Sequence, residues 1–84
     1  MAEIIIYMKP TCPYCKKAIA LLESKGQKPT LIDITDNPEL REEMIKKSNG
    51  RTTVPEIFIN GEFIGGCDDL HALNENDLNK KLGA

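Results

Sequence analysis

The feature that most constrains the fold of this chain is a pair of cysteines, Cys12 and Cys15, at the junction of two sequence patterns. Residues 4–8 (IIIYM) are almost entirely apolar and rich in β-branched side chains, which is typical of a strand buried on both faces. Residues 14–25 instead repeat apolar side chains at helical spacing, which predicts an amphipathic helix ending near a glycine. Pro13 suits the first turn of that helix, because its missing N–H would have no partner there. The sequence therefore predicts a strand followed by a helix, with two sulfur atoms at the helix N-terminus.

This placement indicates redox chemistry for the two cysteines. Residues three apart on a helix are neighbours, so Cys12 and Cys15 can form or open a disulfide with little backbone motion. A helix N-terminus and the nearby Lys9 both favour the thiolate of Cys12, which we expect to be nucleophile and leaving group. We expect Cys15, one turn further in on the buried stripe, to stay a thiol until it attacks a mixed disulfide at Cys12. Two cysteines that merely pack would not require Pro13 and Tyr14 between them.

The middle of the chain predicts a second strand and a second helix. Residues 30–34 are a short apolar run, and the handedness of β-α-β connections makes that strand parallel to the first. Asp36 or Asn37 is expected to cap the next helix, which extends to Ser48.

The last third of the chain predicts a hairpin and a helical end. Residues 56–59 and 62–64 flank an Asn-Gly pair, the strongest short signal for a type I′ turn. Asp68 or Asp69 is expected to cap a further helix, and two leucines close the chain as a short amphipathic turn. The predicted order β-α-β-α-β-β-α, with the cysteine pair after the first strand, is a thioredoxin-like α/β layout in which helices flank a mixed four-stranded sheet.

Composition limits the remaining possibilities. At 84 residues the chain is one domain, and its formal net charge of −2 argues against nucleic acid as a general partner. We expect no membrane association and a cytoplasmic location, because residues 1–3 lead directly into a strand without a signal-like segment. Three cysteines are too few for a structural disulfide framework, which favours catalytic or metal-binding thiols.

Three motifs carry a resemblance to a known family. Residues 9–15 (KPTCPYC), 53–55 (TVP) and 65–70 (GGCDDL) resemble, in order and spacing, the signatures of the small bacterial-type dithiol glutaredoxins. The resemblance covers nearly the whole chain and implies a single glutaredoxin domain over residues 1–84 that acts as a monomer. It also implies a glutathione-dependent thiol-disulfide oxidoreductase with no bound cofactor and with glutathione as reducing cosubstrate. Its partners would be disulfide-containing or glutathionylated proteins, with ribonucleotide reductase as a candidate at the level of the family.

The resemblance also assigns the central part of a glutathione site. It implies a cis peptide bond before Pro55, in a turn that faces the site. The backbone of Val54 would then pair with the cysteinyl part of glutathione in the manner of a strand and aim its sulfur at Cys12. The resemblance also implies that Thr53, in the same segment, binds glutathione.

The two ends of the tripeptide are assigned to different residues. Asp68 and Asp69, at a helix start, would offer backbone N–H groups to the γ-glutamyl carboxylate and a side-chain carboxylate to its ammonium. Lys9 and Arg51, with Tyr14 as a wall, would receive the glycyl carboxylate.

Two residues leave alternatives open. Glu56 departs from the family, in which Gln or a basic residue commonly follows Val-Pro. Its carboxylate would either repel the glycyl end of glutathione or point to solvent. Cys67 is either a small, partly buried residue or a secondary thiol open to glutathionylation or dimer formation.

Three competing functions use the same residues. Cys12, Cys15, Cys67 and His71 are four possible metal ligands, although the two pairs lie far apart in the sequence. Cys12 and glutathione could instead bridge an iron-sulfur dimer. A third alternative is a redoxin reduced by a flavoprotein of the thioredoxin reductase type.

Overall fold

The fold is built on a mixed four-stranded sheet, shown by a computed structural model that describes residues 2–83. The strands are β1 (Ile4–Met8), β2 (Thr30–Asp33), β3 (Glu56–Ile59) and β4 (Glu62–Gly65). Their order across the sheet is β2-β1-β3-β4, with β2 parallel to β1 and with β3 antiparallel to both of its neighbours. The predicted central position of the first strand and the parallel β-α-β unit are therefore confirmed.

Helices cover both faces of the sheet. They are α1 (Pro13–Ser24), α2 (Pro38–Lys47), α3 (Cys67–Ala72) and α4 (Glu75–Lys81). Proline opens both α1 and α2, where its missing N–H costs nothing. The end of the chain differs from the prediction, because it forms two short helices separated by Leu73 and Asn74 instead of a helix and a final turn.

Two helix starts resolve alternatives in the sequence. Asn37, and not Asp36, caps α2, since its side-chain oxygen accepts a hydrogen bond from the Leu40 N–H at 3.1 Å. At α3 the predicted cap is wrong, because the N-cap is Gly66 and both aspartates lie inside the first turn. Gly66 has no side chain to cap the helix, so the Asp69 carboxylate reaches back and accepts from its N–H at 2.9 Å.

The predicted hairpin is present. Asn60 and Gly61 both have positive φ, 50° and 83°, as a type I′ turn requires. The turn is also tied to the rest of the fold, because the Asn60 side chain accepts from the Glu3 N–H at 2.9 Å.

The alternating side chains of β1 divide the core into two clusters. Ile4 and Ile6 belong to the cluster that packs against α1, α3 and α4, in which Leu22 and Leu70 are fully buried. Tyr7 belongs to the second cluster, under α2. Within residues 2–83, no helix is both long enough and apolar enough to cross a membrane.

Candidate active site

The N-terminus of α1 presents Cys12 at the surface and buries Cys15. Cys12 is the N-cap, and its Sγ accepts a hydrogen bond from the Cys15 N–H at a distance of 3.4 Å. The sulfur thus takes the place of the hydroxyl oxygen that usually caps a helix. Cys12 is half-buried, whereas Cys15 has no exposed surface, and both are free thiols. A substrate can therefore reach the first sulfur directly and the second only through the first.

The surroundings of Cys12 favour its thiolate. Partial burial opposes ionisation and is the largest single influence on the pKa of Cys12. Hydrogen bonds from the Cys15 thiol and from the first backbone N–H groups of α1 act in the opposite direction, as does the charge of Lys9. Together they hold the pKa of Cys12 below the ordinary thiol value of 9.0. A sulfur with a lowered pKa is the better leaving group when a mixed disulfide is resolved.

Cys15 has the opposite environment. Burial in the apolar interior, with a smaller contribution from the nearby Cys12 sulfur, raises the pKa of the Cys15 thiol to about 12. The Cys12 thiol therefore loses its proton at a lower pH than the Cys15 thiol beside it.

The loop before β3 faces the reactive sulfur. The peptide bond between Val54 and Pro55 is cis, as the resemblance implied. The Val54 carbonyl oxygen lies 3.9 Å from the Cys12 Sγ. A chain that pairs with the Val54 backbone would therefore pass next to Cys12.

A groove of about 170 Å³ begins at this loop. The residues that line it are Tyr14, Arg51, Thr53, Val54, Pro55, Gly66, Cys67, Asp68 and Asp69. Seven of the eight residues expected to bind glutathione are thus brought together. Lys9 is the exception, because it lines a neighbouring hollow with Arg41 and acts on the site through its charge.

An ion pair joins Arg51 and Asp69, two of the residues that line the groove. The Arg51 guanidinium lies 3.5 Å from the Asp69 carboxylate, and both side chains are about half exposed. The sequence assigned these residues to opposite ends of a ligand, whereas the structure makes them neighbours. An exposed pair of this kind contributes at most about 1 kcal/mol. A ligand carboxylate can therefore take the place of Asp69 beside Arg51 at small cost.

The glycine pair before α3 shapes the groove and was not among the expected site residues. Gly65 has a φ of 121°, and a Cβ at this position would collide with the Asp69 carboxylate. Glycine therefore allows Asp69 to fold back over the start of α3. The Gly-Gly sequence was visible, but it predicted only a break in the strand pattern.

Cys67 and Glu56 are the two residues for which the sequence left alternatives open. Cys67 lines the groove but is only 5% exposed, and burial raises the pKa of its thiol. Glu56 does not point to solvent, so that alternative is wrong, and it is not among the residues that line the groove. It is fully buried, because β3 places it on the face of the sheet that α2 covers.

The four-ligand metal site does not assemble. Among the residues that the structure describes, no three His, Cys, Asp or Glu side chains are grouped in a way that could hold a metal ion.

A partly exposed cysteine of lowered pKa and a buried cysteine at a helix N-terminus, beside a cis-proline loop and on a mixed sheet, define a thiol-disulfide oxidoreductase of the thioredoxin-like fold. The glutaredoxin family model matches residues 4–64, and the chain belongs to the glutaredoxin family. It is 60% identical to glutaredoxin 3 of Escherichia coli K12 over 74 aligned residues. The alignment covers 88% of this chain and 88% of that protein.

Solved structures agree with this family. The glutaredoxin of Brucella melitensis superposes with a TM-score of 0.78 at 48% identity, covering 100% of this chain and 94% of that one. The dithiolic glutaredoxin 2-C-Grx1 of Trypanosoma brucei brucei gives a TM-score of 0.80 at 35% identity, covering 98% and 87%. The protein is a glutathione-dependent thiol-disulfide oxidoreductase, with glutathione as its substrate and disulfide proteins as partners.

Proposed function

We propose that Cys12 and Cys15 together reduce protein disulfides. The observation that carries this proposal is the Cys15 N–H donating to the Cys12 Sγ at 3.4 Å, with Cys15 buried and Cys12 only partly buried. The Cys12 thiolate attacks one sulfur of the substrate disulfide and forms a mixed disulfide, and the second substrate sulfur leaves and takes up a proton. Cys15 then loses its proton and attacks the Cys12 Sγ. The substrate has gained two electrons and is released as a dithiol. The enzyme has lost two electrons and keeps a disulfide between Cys12 and Cys15. No cofactor is consumed.

Glutathione restores the dithiol in two steps. One glutathione thiolate attacks the Cys12 Sγ and releases Cys15 as a thiol. A second attacks the glutathione sulfur of the mixed disulfide, so that oxidised glutathione leaves and Cys12 becomes a thiolate again. Protein-glutathione mixed disulfides need Cys12 alone, because Cys12 takes over the glutathione and the same second step follows.

The groove beside Cys12 is proposed to hold glutathione along its length. The Val54 backbone pairs with the cysteinyl unit next to the 3.9 Å approach to Cys12, with Thr53 and Pro55 fixing the loop. The first turn of α3, with Asp68 and Asp69, receives the γ-glutamyl end.

The other end of the tripeptide is proposed to lie near cations. Arg51 receives the glycyl carboxylate by exchanging Asp69 for the ligand, and Tyr14, which is 56% exposed, forms a wall. Lys9 adds a favourable long-range charge from outside the groove.

Replacing Arg51 with glutamine should raise the KM for glutathione about fivefold, because an exposed charge pair contributes about 1 kcal/mol. The turnover number should change less than twofold (roughly 0.4 kcal/mol), since Arg51 is not among the groups that shift the pKa of Cys12. Arg41→Gln is the matched control, because it removes the same charge from α2 outside the groove. Equal KM values for the two variants would contradict the assignment of Arg51.

The same proposal covers organisation and location. Residues 1–84 form a single glutaredoxin domain that acts as a monomer in the cytoplasm, with neither nucleic acid nor membrane as a partner. Two clusters packed on the two faces of one sheet support the single domain, although residues 1 and 84 lie outside the described part. Ribonucleotide reductase is proposed among the disulfide substrates, at the level of the family only.

A further inference from the structure

Glu56 is a buried acid that the chemistry above does not use. It begins β3 directly after Pro55, has no exposed surface, and neither of its carboxyl oxygens has a hydrogen-bond partner among residues 2–83. An ionised carboxylate is costly in such a place, because burial removes its water without supplying donors. Accordingly, burial raises the pKa of the Glu56 carboxyl above its usual value of 4.5. The inference that follows rests on the proposed role of Arg51 in glutathione binding.

The groups around Glu56 can be taken element by element. On β1, Tyr7 is the register partner of Glu56, and its hydroxyl donates to the Glu43 carboxylate of α2 at 2.7 Å. Lys47 of α2 lies over the Tyr7 ring. The charged groups of Glu43 and Lys47 therefore both contact Tyr7. At the end of α2, the Ser48 hydroxyl donates to the Ile45 and Arg51 carbonyl oxygens and so gives the Glu56 carboxyl no hydrogen bond.

Arg51 is the cation that acts on Glu56. Its charge favours the carboxylate and opposes the effect of burial. Its guanidinium carbon lies 5.6 Å from the centre of the Phe63 ring. Phe63 on β4 pairs in register with Phe58 on β3. Glu56 lies two residues before Phe58 on the same strand, so their side chains lie on the same face of the sheet. Arg51 therefore lies over the face of the sheet that buries Glu56.

Arg51 thus has two acidic groups within its influence. One is Asp69 in the groove, 3.5 Å from the guanidinium, and the other is Glu56 in the interior. We propose that Glu56 is a positioning residue that controls glutathione binding through Arg51. With a proton on Glu56, Arg51 stays at the groove and is available to the glycyl carboxylate. When Glu56 releases that proton to solvent, its charge draws Arg51 away from the groove.

The sign of the pH dependence follows. Below the raised pKa of Glu56 the carboxyl is neutral and the groove keeps its cation. As pH rises through that pKa, the affinity for glutathione falls. A glutamine at position 56 has nearly the same shape and stays neutral, so it should hold the groove in its low-pH state at every pH.

The test uses S-methylglutathione, which keeps both ends of the tripeptide and has no thiol to titrate. Calorimetry over a range of pH should show the dissociation constant of the native protein rising about threefold or more, and that of Glu56→Gln staying level. Glu39→Gln, which removes an exposed carboxylate from the start of α2, should follow the native profile. In an Arg51→Gln background, Glu56→Gln should change the dissociation constant less than 1.5-fold (roughly 0.2 kcal/mol).

The outcomes separate the two proposals. If Arg51→Gln weakens binding but Glu56→Gln follows the native profile, the coupling is wrong and the groove assignment stands. If Arg51→Gln binds S-methylglutathione as well as Arg41→Gln does, the groove assignment itself is wrong. The carboxyl carbon of Glu56, followed by NMR in the ¹³C-labelled native protein, gives an independent check. A titration midpoint at the usual value for glutamate would overturn the inference even if a variant failed to fold.

Discussion

Replacing Cys12 with serine should abolish both the reduction of protein disulfides and the reduction of protein-glutathione mixed disulfides. A serine hydroxyl does not ionise near neutral pH and cannot form a disulfide, so neither route can begin. Both rates should fall at least about a thousandfold, which is a loss of roughly 4 kcal/mol or more of transition-state stabilisation. The measurement is the steady-state rate on one substrate of each kind, with glutathione as reductant.

Thr11→Ser is a suitable control for this variant, since it alters the neighbouring exposed side chain and leaves both sulfurs in place. It should retain both activities. If Cys12→Ser kept substantial activity on glutathionylated protein, the nucleophile would have to be another cysteine, and the assignment of roles would be wrong.

Replacing Cys15 with serine should separate the two activities. The rate on protein disulfides should fall about a hundredfold or more, because no second thiol is available to resolve the mixed disulfide at Cys12. The rate on protein-glutathione mixed disulfides should stay within about threefold, since a glutathione thiolate resolves that intermediate from outside. This difference follows from the complete burial of Cys15, which lets it react with Cys12 and not with the substrate directly.

A buried hydroxyl at position 15 can cost about 1–3 kcal/mol of stability if it finds no partner. Cys15→Ala therefore serves as the second variant, and thermal unfolding shows whether each protein is folded at the assay temperature. Loss of both activities in a folded Cys15 variant would contradict the division of roles.

The sequence predicted most of the fold where the signal is local. The apolar run of β1, the proline at the start of α1 and the Asn-Gly turn each impose a conformation through neighbours in the chain. The start of α3 was mispredicted, because Asp68 and Asp69 both resemble caps. The actual cap depends on Gly65, which leaves room for Asp69 to fold back.

The parts of the site that belong to short sequence motifs could be predicted from the sequence. The cysteine pair follows from its position alone, whereas the groove residues came from the resemblance to a family. The ion pair between Arg51 and Asp69 joins residues 18 apart in the sequence, so no local pattern could reveal it. The burial of Glu56 was missed because charged side chains are almost always exposed, and its burial depends on the side chains that pack on its face of the sheet, which are distant in sequence.

The most direct test of the central claim is the ultraviolet absorbance of thiolate as a function of pH, in the native protein and in Cys12→Ser. We expect one thiolate that forms below the ordinary thiol pKa of 9.0 and is absent from Cys12→Ser. The Cys15 thiolate should form only near pH 12. A first thiolate that appears no earlier than an ordinary thiol, or one that persists in Cys12→Ser, would contradict the claim that the end of α1 holds Cys12 as the reactive anion.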